Sequence, residues 1–271
     1  MRYREFLPGR LLQPYVQCYF TCESDTAVVT VDNVFAVGYV ELMFNLGPEG
    51  PQRIVSDGLA RQPRVQLWGQ TIRPFTFTSS GKHAMLGIRF FPHTAAYFFD
   101  EPIALFNDQV MDFSEVGGSK ASLFYEQLLE AVSLEQRTAL VEQFLLGQLS
   151  LRGQKLGKLK LVGSILRELS GEDFFENMHS VAARYGITSR YLQQIFVNYS
   201  GLSPGLYSKI ARFQKSLQLV TRRELPLTTI AYQCGYYDQS HFIKDFKFFT
   251  GSAPSFFSPE SSTDLFIPLA G

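Results

Sequence analysis

The sequence is poor in cysteine and histidine and contains no long apolar run. Its 271 residues include only three cysteines, Cys18, Cys22 and Cys234, too few for a disulfide framework or a four-cysteine zinc site. A reducing, cytoplasmic compartment is the simplest interpretation. No apolar run approaches the roughly 18 residues that a membrane span needs, and the N-terminus lacks the apolar segment of a signal peptide. We therefore expect a cytoplasmic protein with no membrane association.

Charged residues are also few, at 18%, whereas hydrophobic residues reach 45% and aromatic residues 14%. This composition argues against intrinsic disorder and is sufficient for ordinary hydrophobic cores. The length predicts two domains or one large one.

The formal net charge of zero conceals an asymmetry along the chain. Residues 152–258 contain 14 Lys and Arg against 7 Asp and Glu, whereas the remainder contains 11 against 18. The two parts therefore carry +7 and −7. A basic C-terminal segment indicates a polyanionic partner such as nucleic acid, although charge also varies between segments by chance.

The first part of the chain, residues 1–92, is rich in β-branched and aromatic segments that are separated by turn signals. The predicted strands are 28–31, 39–44, 75–78 and 85–91, and the turns between them are 47–51 and 79–82. Many short strands with such turns predict a small antiparallel barrel or sandwich.

From about residue 93 the pattern becomes helical. Residues 119–130 place apolar side chains at a spacing of 3.6 residues, and Ser133 with Gln136 forms a capping box that begins a second helix. The apolar stripes of this helical pair are a candidate dimer surface, and packing within the domain explains them equally well. The Gly- and Lys-rich segment 151–158 is the predicted linker. It divides a β-rich sensor or dimerisation domain, 1–150, from a second domain, 159–260.

After the linker every segment reads as a short helix, at 159–169, 179–185, 189–197, 204–220, 227–234 and 240–248. Two stretches in this half share one design when they are aligned on Gly186 and Gly235. Each has an alanine four residues before the glycine and an aromatic residue ten or eleven residues after it. The repeat predicts two helix-turn-helix units, because glycine permits the positive φ that ends a helix. Thr188 and Asp238 are the predicted N-caps of the second helices.

The second helix of each unit then has a buried apolar face and an exposed polar one. Four phenylalanines and one thiol that is expected to be inert are assigned to the core: Phe213, Phe242, Phe246, Phe249 and Cys234. The exposed faces carry donors and acceptors suited to a major groove: Arg190, Gln193 and Gln194 in the first unit, and Gln239, Ser240, His241 and Lys244 in the second. The same residue types are also common on solvated helices, and His241 suits local packing equally well.

Residues 160–258 resemble the DNA-binding domain of the AraC/XylS family of bacterial transcription regulators. The matching pieces occur in the same order and spacing, at 186–196, 201–204, 210–213, 230–247 and 251–254. The N-terminal 150 residues are similar to a poorly characterised sensor-type domain fused to some members. That similarity is carried by pieces such as 12–16 and 87–92, and it names no ligand.

The resemblance implies two helix-turn-helix units joined by a long helix, here 204–221, with Ser203 as N-cap and Pro204 at the first helical position. The recognition helices, 189–198 and 239–248, would lie about 34 Å apart and enter successive major grooves.

By position in the family's motif, base contacts fall to the seven exposed residues named above. Arg190 suits guanine, and Gln193 or Gln194 suits adenine, although many members carry a basic residue where this chain has Gln194. Phosphate contacts fall to four basic residues: Lys209, Arg212, Lys215 and Lys247.

In the N-terminal half, Glu41, Trp68 and Arg89 interrupt otherwise apolar strands. Inside a barrel they would line a ligand pocket, and they are equally interpretable as surface pairs. His83 and His93 lack a recognisable ligand spacing, so we expect no metal and no cofactor.

The leading hypothesis is an α+β protein, a β-rich barrel or sandwich with a helical pair followed by an all-α double helix-turn-helix domain, that acts as a sequence-specific DNA-binding transcription regulator. Its predicted partners are double-stranded DNA, a small-molecule effector, a second copy in a homodimer and, for an activator, RNA polymerase. One alternative is a cupin-like enzyme with an appended DNA-binding tail, which the count of four histidines argues against. Another is a pure protein-interaction module, which would show no salt-dependent duplex binding. No catalytic residue is predicted.

Overall fold

The computed structural model describes residues 2–24, 30–48, 52–55, 58–79, 83–151, 156–169 and 178–257. Within these ranges ten β-strands precede eight α-helices. The predicted α+β class is confirmed, with a β-rich region and a helical pair followed by helices only.

The strands form two antiparallel sheets. The larger sheet contains β1 (Arg2–Phe6), β2 (Val16–Ser24), β4 (Val40–Asn45), β7 (Val65–Trp68), β9 (His83–Phe90) and β10 (Val110–Asp112). The smaller contains β3 (Thr30–Val34), β5 (Gln52–Val55), β6 (Gly58–Arg61) and β8 (Phe75–Ser79). Their orders are β1-β2-β9-β4-β7-β10 and β3-β8-β5-β6.

The two sheets lie face to face as a sandwich. Phe20, Met43, Trp68 and Met85 on the inner face of the larger sheet cluster with Val34 of the smaller one. The sandwich prediction is confirmed and the barrel alternative is wrong, because the larger sheet ends at two edge strands, β1 and β10, with no pairing between them among the described residues.

The four strands predicted from the sequence are present as β3, β4, β8 and β9. The start of the first prediction, 28–29, lies outside the described residues, as do 49–51 and 80–82 of the predicted turns. Trp68, which is expected in an apolar strand, lies in β7. Bounds are not predicted for the other six strands.

The outer face of the larger sheet is covered by α1 (Phe113–Glu130) and α2 (Leu134–Leu151). Phe44 of the sheet packs against Phe124 of α1, with ring centroids 5.5 Å apart, and Leu145 of α2 belongs to the same hydrophobic cluster. Packing within the domain therefore explains the buried part of both stripes. Leu123 and Leu129 of α1 remain exposed.

Both helices begin at side-chain caps. Ser133 Oγ accepts a hydrogen bond from the Gln136 N–H at 3.2 Å, and Gln136 Oε1 accepts one from the Val132 N–H at 3.0 Å. The predicted capping box is thus present, except that Gln136 bonds the N–H of Val132 instead of the N–H of the N-cap residue, Ser133. The first helix begins six residues before the predicted 119–130, where Asp112 accepts from the Ser114 N–H at 2.8 Å.

Six helices make up the C-terminal region: α3 (Leu156–Leu169), α4 (Met178–Arg184), α5 (Ser189–Ser200), α6 (Pro204–Arg222), α7 (Leu227–Gln233) and α8 (Gln239–Thr250). Each corresponds to a predicted helix. Of the predicted linker 151–158, Leu151 ends α2, Leu156 begins α3, and 152–155 lie outside the described residues. The division at 1–150, 151–158 and 159–260 stays a prediction.

The core of the C-terminal region is aromatic, as predicted. Phe213, Phe242, Phe246 and Phe249 are each at most 1% exposed. The ring of Phe213 lies 4.8 Å from that of Phe249. Phe35, from the β3–β4 connection, belongs to the same hydrophobic cluster, so the N-terminal region contributes directly to this core.

Candidate nucleic-acid interface

The first helix-turn-helix unit consists of α4 and α5. Gly186 has φ +64° and ends α4 in a left-handed conformation. Its N–H donates to the Ala183 carbonyl at 3.0 Å, and the Ile187 N–H donates to the Ala182 carbonyl at 3.0 Å. This pair of bonds is the Schellman motif. Thr188 then caps α5 by accepting from the Tyr191 N–H, as predicted.

The second unit, α7 and α8, repeats the same hydrogen bonds. Gly235 has φ +74°, and its N–H donates to the Tyr232 carbonyl at 3.0 Å. The Tyr236 N–H donates to the Ala231 carbonyl at 2.9 Å. Asp238 caps α8 by accepting from the His241 N–H at 2.7 Å. The duplication predicted from residue types therefore holds for individual backbone bonds.

The repeat extends to the ends of both second helices. Gly201 ends α5 with φ +76° and Gly251 ends α8 with φ +81°. The hydroxyl before each glycine, on Ser200 or Thr250, accepts from the N–H two residues on. Each unit then continues into a helix whose first residue is a proline, Pro204 in α6 and Pro254 in a 3₁₀ turn. Ser203 caps α6 as predicted.

The predicted base-contacting residues of the first unit share one exposed face of α5. Arg190, Gln193 and Gln194 are all exposed. Leu192 and Phe196 face the core and are fully buried. The helix therefore has the two faces that the sequence predicts, with its polar groups available to a partner.

In the second unit only part of the predicted set is freely exposed. Ser240 and Lys244 are exposed on α8. Gln239 is half-buried, and its Oε1 accepts from the Thr228 hydroxyl at 2.7 Å. His241 is also half-buried and lies against two side chains of the domain, with Nε2 3.5 Å from Asp245 Oδ2 and its ring 5.4 Å from that of Tyr236.

The four predicted phosphate-contacting residues have different environments. Lys209 and Lys247 are exposed, whereas Arg212 and Lys215 are half-buried. Lys209 Nζ lies 3.7 Å from Asp245 Oδ1. Arg212 stacks over the Tyr236 ring at 5.4 Å, and its guanidinium therefore faces the second turn.

Cys234 is buried directly before the second turn. Burial raises the pKa of its thiol to about 11. The thiol therefore stays protonated and unreactive at neutral pH, in agreement with the prediction.

The structure brings Glu41, Trp68 and Arg89 together on the inner face of the larger sheet. Glu41 of β4 is the register partner of Trp68 on one side and of Arg89 on the other. Arg89 is 1% exposed and Trp68 8%, so the surface-pair alternative is wrong.

Arg89 is nevertheless already paired within the protein. Its Nε lies 2.8 Å from Glu41 and its Nη1 lies 2.8 Å from Glu5 of β1. The guanidinium also stacks over the Tyr39 ring at 4.4 Å. Burial raises the pKa of the Glu41 carboxyl, and the adjacent guanidinium opposes that shift.

The N-terminal region also contacts the end of α5, and no pattern in the sequence indicates this contact. The Gln70 side chain donates to the Ser200 carbonyl, and Asn107 Nδ2 donates to the Gly201 carbonyl at 2.8 Å. Carbonyls at the end of a helix have no partner within the helix. Two amides from the N-terminal region therefore bond two of the carbonyls at the end of α5.

The same region contacts α6 and α8. The Gln214 side chain of α6 donates to the Ala36 carbonyl. The Arg73 guanidinium lies over the ring of Phe248, near the end of α8, at 4.0 Å. Loops at one end of the sandwich thus contact α5, α8 and the helix that joins the two units, α6.

The described ranges contain neither a candidate metal site nor a membrane-spanning helix. No group of three or more His, Cys, Asp or Glu side chains there could hold a metal ion. No helix in this part of the chain is long and apolar enough to cross a membrane.

Two protein families match separate regions of the chain. Residues 181–258 match a helix-turn-helix domain, and residues 4–112 match a domain of unknown function, DUF6597. The C-terminal region is therefore a helix-turn-helix domain, and its resemblance to the AraC/XylS type is confirmed.

Particular relatives are similar to this domain. Over 79 residues the chain is 33% identical to the HTH-type transcriptional activator RhaS of Escherichia coli. That segment is 28% of each protein, so the match spans just over a quarter of the curated relatives. Among solved structures, ToxT from Vibrio cholerae has a TM-score of 0.43 at 12% identity, covering 88% of this chain and 96% of that one. A probable AraC family transcriptional regulator from Rhodopseudomonas palustris has a TM-score of 0.33 at 25% identity, covering 35% and 92%.

Proposed function

We propose that this protein is a sequence-specific DNA-binding transcription regulator and not an enzyme, and that its N-terminal domain binds a small-molecule effector. The observation that carries the proposal is the duplication of the helix-turn-helix unit, with the same turn bonds, caps and glycine ends in both copies. A single helical hairpin is common. Two matched units, each with a polar outer face, are typical of a protein that reads two major grooves.

The first recognition helix is proposed to read bases through Arg190, Gln193 and Gln194. The two parallel N–H groups of an arginine match guanine O6 and N7, and a glutamine amide matches adenine N6 and N7. All three side chains are exposed on α5, so they would reach base edges without displacing a core residue.

The second recognition helix is proposed to use Gln239, Ser240, His241 and Lys244. Gln239 and His241 already contact Thr228 and Asp245. Side chains held before binding lose less conformational entropy when they bind. We therefore expect the second helix to add specificity through pre-oriented groups, and Lys244 to add charge.

Phosphate contacts are proposed for Lys209, Arg212, Lys215 and Lys247. Such contacts fix the register of a protein on a duplex without reading its sequence. Residues 152–258 carry an excess of seven positive charges, which favours approach to a polyanion.

The contacts between the N-terminal region and the recognition helices suggest how an effector would act. Because α5 and α8 both end against loops of that region, a ligand that shifts those loops would change the relative position of the two helices. Glu41, Trp68 and Arg89 are proposed to belong to the effector site. A homodimer, RNA polymerase for an activator, and a cytoplasmic location complete the proposal.

The test is duplex binding by the full-length protein. A site selected from random DNA should bind with an affinity that falls steeply with salt. Arg190→Ala should weaken that site by about 5- to 150-fold and leave random duplexes almost unaffected. Lys247→Ala, the matched control for a phosphate contact, should weaken all duplexes alike. Equal losses of Arg190→Ala on both kinds of DNA would refute base reading, and salt-independent binding would refute the proposed function.

A further inference from the structure

A cavity of about 270 Å³ lies between the outer face of the larger sheet and the helical pair. Its wall is formed by Leu42 and five phenylalanines, Phe90, Phe98, Phe99, Phe113 and Phe144. We call it the phenylalanine cavity. Successive residues of a strand point to opposite faces, so Leu42 lines this cavity while Glu41 lies on the inner face of the sheet. The phenylalanine cavity is therefore distinct from the Glu41, Trp68 and Arg89 cluster.

The phenylalanine cavity is lined by exposed as well as buried residues, so it is a pocket with one side open to solvent. Its volume limits the size of a ligand. An engineered apolar cavity of about 150 Å³ in another protein stays dry and binds benzene. A volume of about 270 Å³ therefore accommodates a molecule larger than one aromatic ring.

The wall is preformed and aromatic. Phe90, Phe98, Phe99 and Phe113 are at most 6% exposed. The rings of Phe90 and Phe98 lie 4.8 Å apart, and those of Phe99 and Phe113 lie 6.0 Å apart with an edge-to-face geometry. These four rings pack mainly against their neighbours and form a rigid base for the cavity. Phe144 is only half-buried and is the most accessible of the five rings.

Polar residues border the cavity on its solvent side. Asp100, Glu101 and Lys120 are exposed, and Gln148 of α2 is half-buried. Two carboxylates against one ammonium make this border negative overall. The ligand group placed there should therefore be a neutral or cationic hydrogen-bond donor, whereas a carboxylate should be repelled.

Helix α1 is interrupted beside the cavity. Gly118 has φ +59° and ψ −153°, which breaks the helix, and a Cβ built there would meet no atom within 4 Å. Phe113 lies before the break and Lys120 after it. Phe113 of the wall and Lys120 of the border are thus held by two separate helical segments.

We propose that the phenylalanine cavity binds a bicyclic aromatic molecule, or an apolar molecule of similar size, that carries one neutral or cationic hydrogen-bond donor. It is a second ligand site of the N-terminal domain, separate from the effector site proposed at Glu41, Trp68 and Arg89. Only its influence on DNA binding rests on the proposed function.

The test uses three probes that share one ring system: 2-naphthol, 2-naphthylmethylamine and 2-naphthoate. Calorimetric titration into the full-length protein without DNA should show binding of the first two, with 2-naphthoate at least tenfold weaker. Tightest binding by 2-naphthoate, or no binding by any probe, would overturn the proposal. Because DNA is absent, this result is independent of the outcome of the duplex-binding test.

Variants assign the binding to the cavity. Leu145 of α2 also lines the cavity, so Leu145→Phe should reduce its volume, and Gln148→Trp should cover its solvent side. Each variant should weaken 2-naphthol binding at least tenfold. Leu123→Phe adds the same ring to an exposed position of α1, 59% exposed, and should leave binding unchanged. Should Leu145→Phe fail to fold, Gln148→Trp decides the question. Unchanged binding in the folded cavity variants would place the probe elsewhere and overturn the assignment.

Discussion

Replacing Gly201 by alanine tests the packing between the first recognition helix and the N-terminal region. Gly201 has φ +76°, a conformation that costs other residues about 1 kcal/mol. A Cβ there would lie 2.9 Å from Gln70 Nε2, 3.0 Å from the Ala104 nitrogen and 3.0 Å from Ile103 Cγ2. The amide end of Gln70 can move away from the added methyl group. The backbone nitrogen of Ala104 belongs to a short 3₁₀ turn and can move less.

Gly251 provides the matched control. It ends α8 as Gly201 ends α5, with φ +81°, and a Cβ built there would meet nothing within 4 Å. Gly251→Ala therefore carries the backbone cost alone, about 1 kcal/mol. Gly201→Ala adds overpacking of about 1–3 kcal/mol. We expect losses in the free energy of unfolding of roughly 2–4 kcal/mol for Gly201→Ala and about 1 kcal/mol for Gly251→Ala.

Urea denaturation of the full chain, followed by the fluorescence of Trp68, measures both losses. In a Gln70→Ala background the cost of Gly201→Ala should fall, because one of the three crowded atoms is gone and contacting residues are not additive. Equal losses for the two glycine variants would refute the packing of α5 against the N-terminal region.

Three further predictions concern stability. The pKa of His93 is lowered to about 4 because burial disfavours its charged form and Arg167 lies nearby. Below pH 6.5 the unfolded state therefore binds a proton that the folded state does not. The free energy of unfolding should fall as the pH falls, by about 3 kcal/mol near pH 4. Urea titrations at several pH values should show this loss in the wild type but not in His93→Gln, and parallel curves would contradict it. Arg89→Met should cost about 3–5 kcal/mol by leaving Glu41 buried without its cation, and a loss below 1 kcal/mol would show that the pair contributes little. Asp238→Ala should cost about 1 kcal/mol by removing the α8 N-cap; an unchanged thermal midpoint would contradict the cap.

The C-terminal domain could be predicted in detail because its determinants are local. A glycine with positive φ, a polar N-cap three residues before the bonded N–H, and a proline at the first helical position each act within a few residues. Gly186, Thr188 and Pro204 therefore revealed their roles without tertiary information. The outer faces followed from helical periodicity.

The N-terminal domain was less predictable because its structure depends on non-local pairing. Strand β1 is exposed along almost its whole length and shows no apolar alternation, so nothing in Arg2–Phe6 indicates a strand. Whether the sheet closes into a barrel depends on its edge strands, which no single segment specifies. The contacts of Gln70 and Asn107 with α5 involve isolated loop amides, which have no recognisable pattern in sequence.

Selection of bound duplexes from a random pool by the full-length protein is the most direct test of the proposal that α5 and α8 read successive major grooves. The expected result is a pair of conserved half-sites whose centres lie about 10–10.5 base pairs apart, one for each recognition helix. Arg190→Ala should relax one half-site and Lys244→Ala should weaken the other. Recovery of a single short site, or no enrichment above random DNA, would contradict the proposed function.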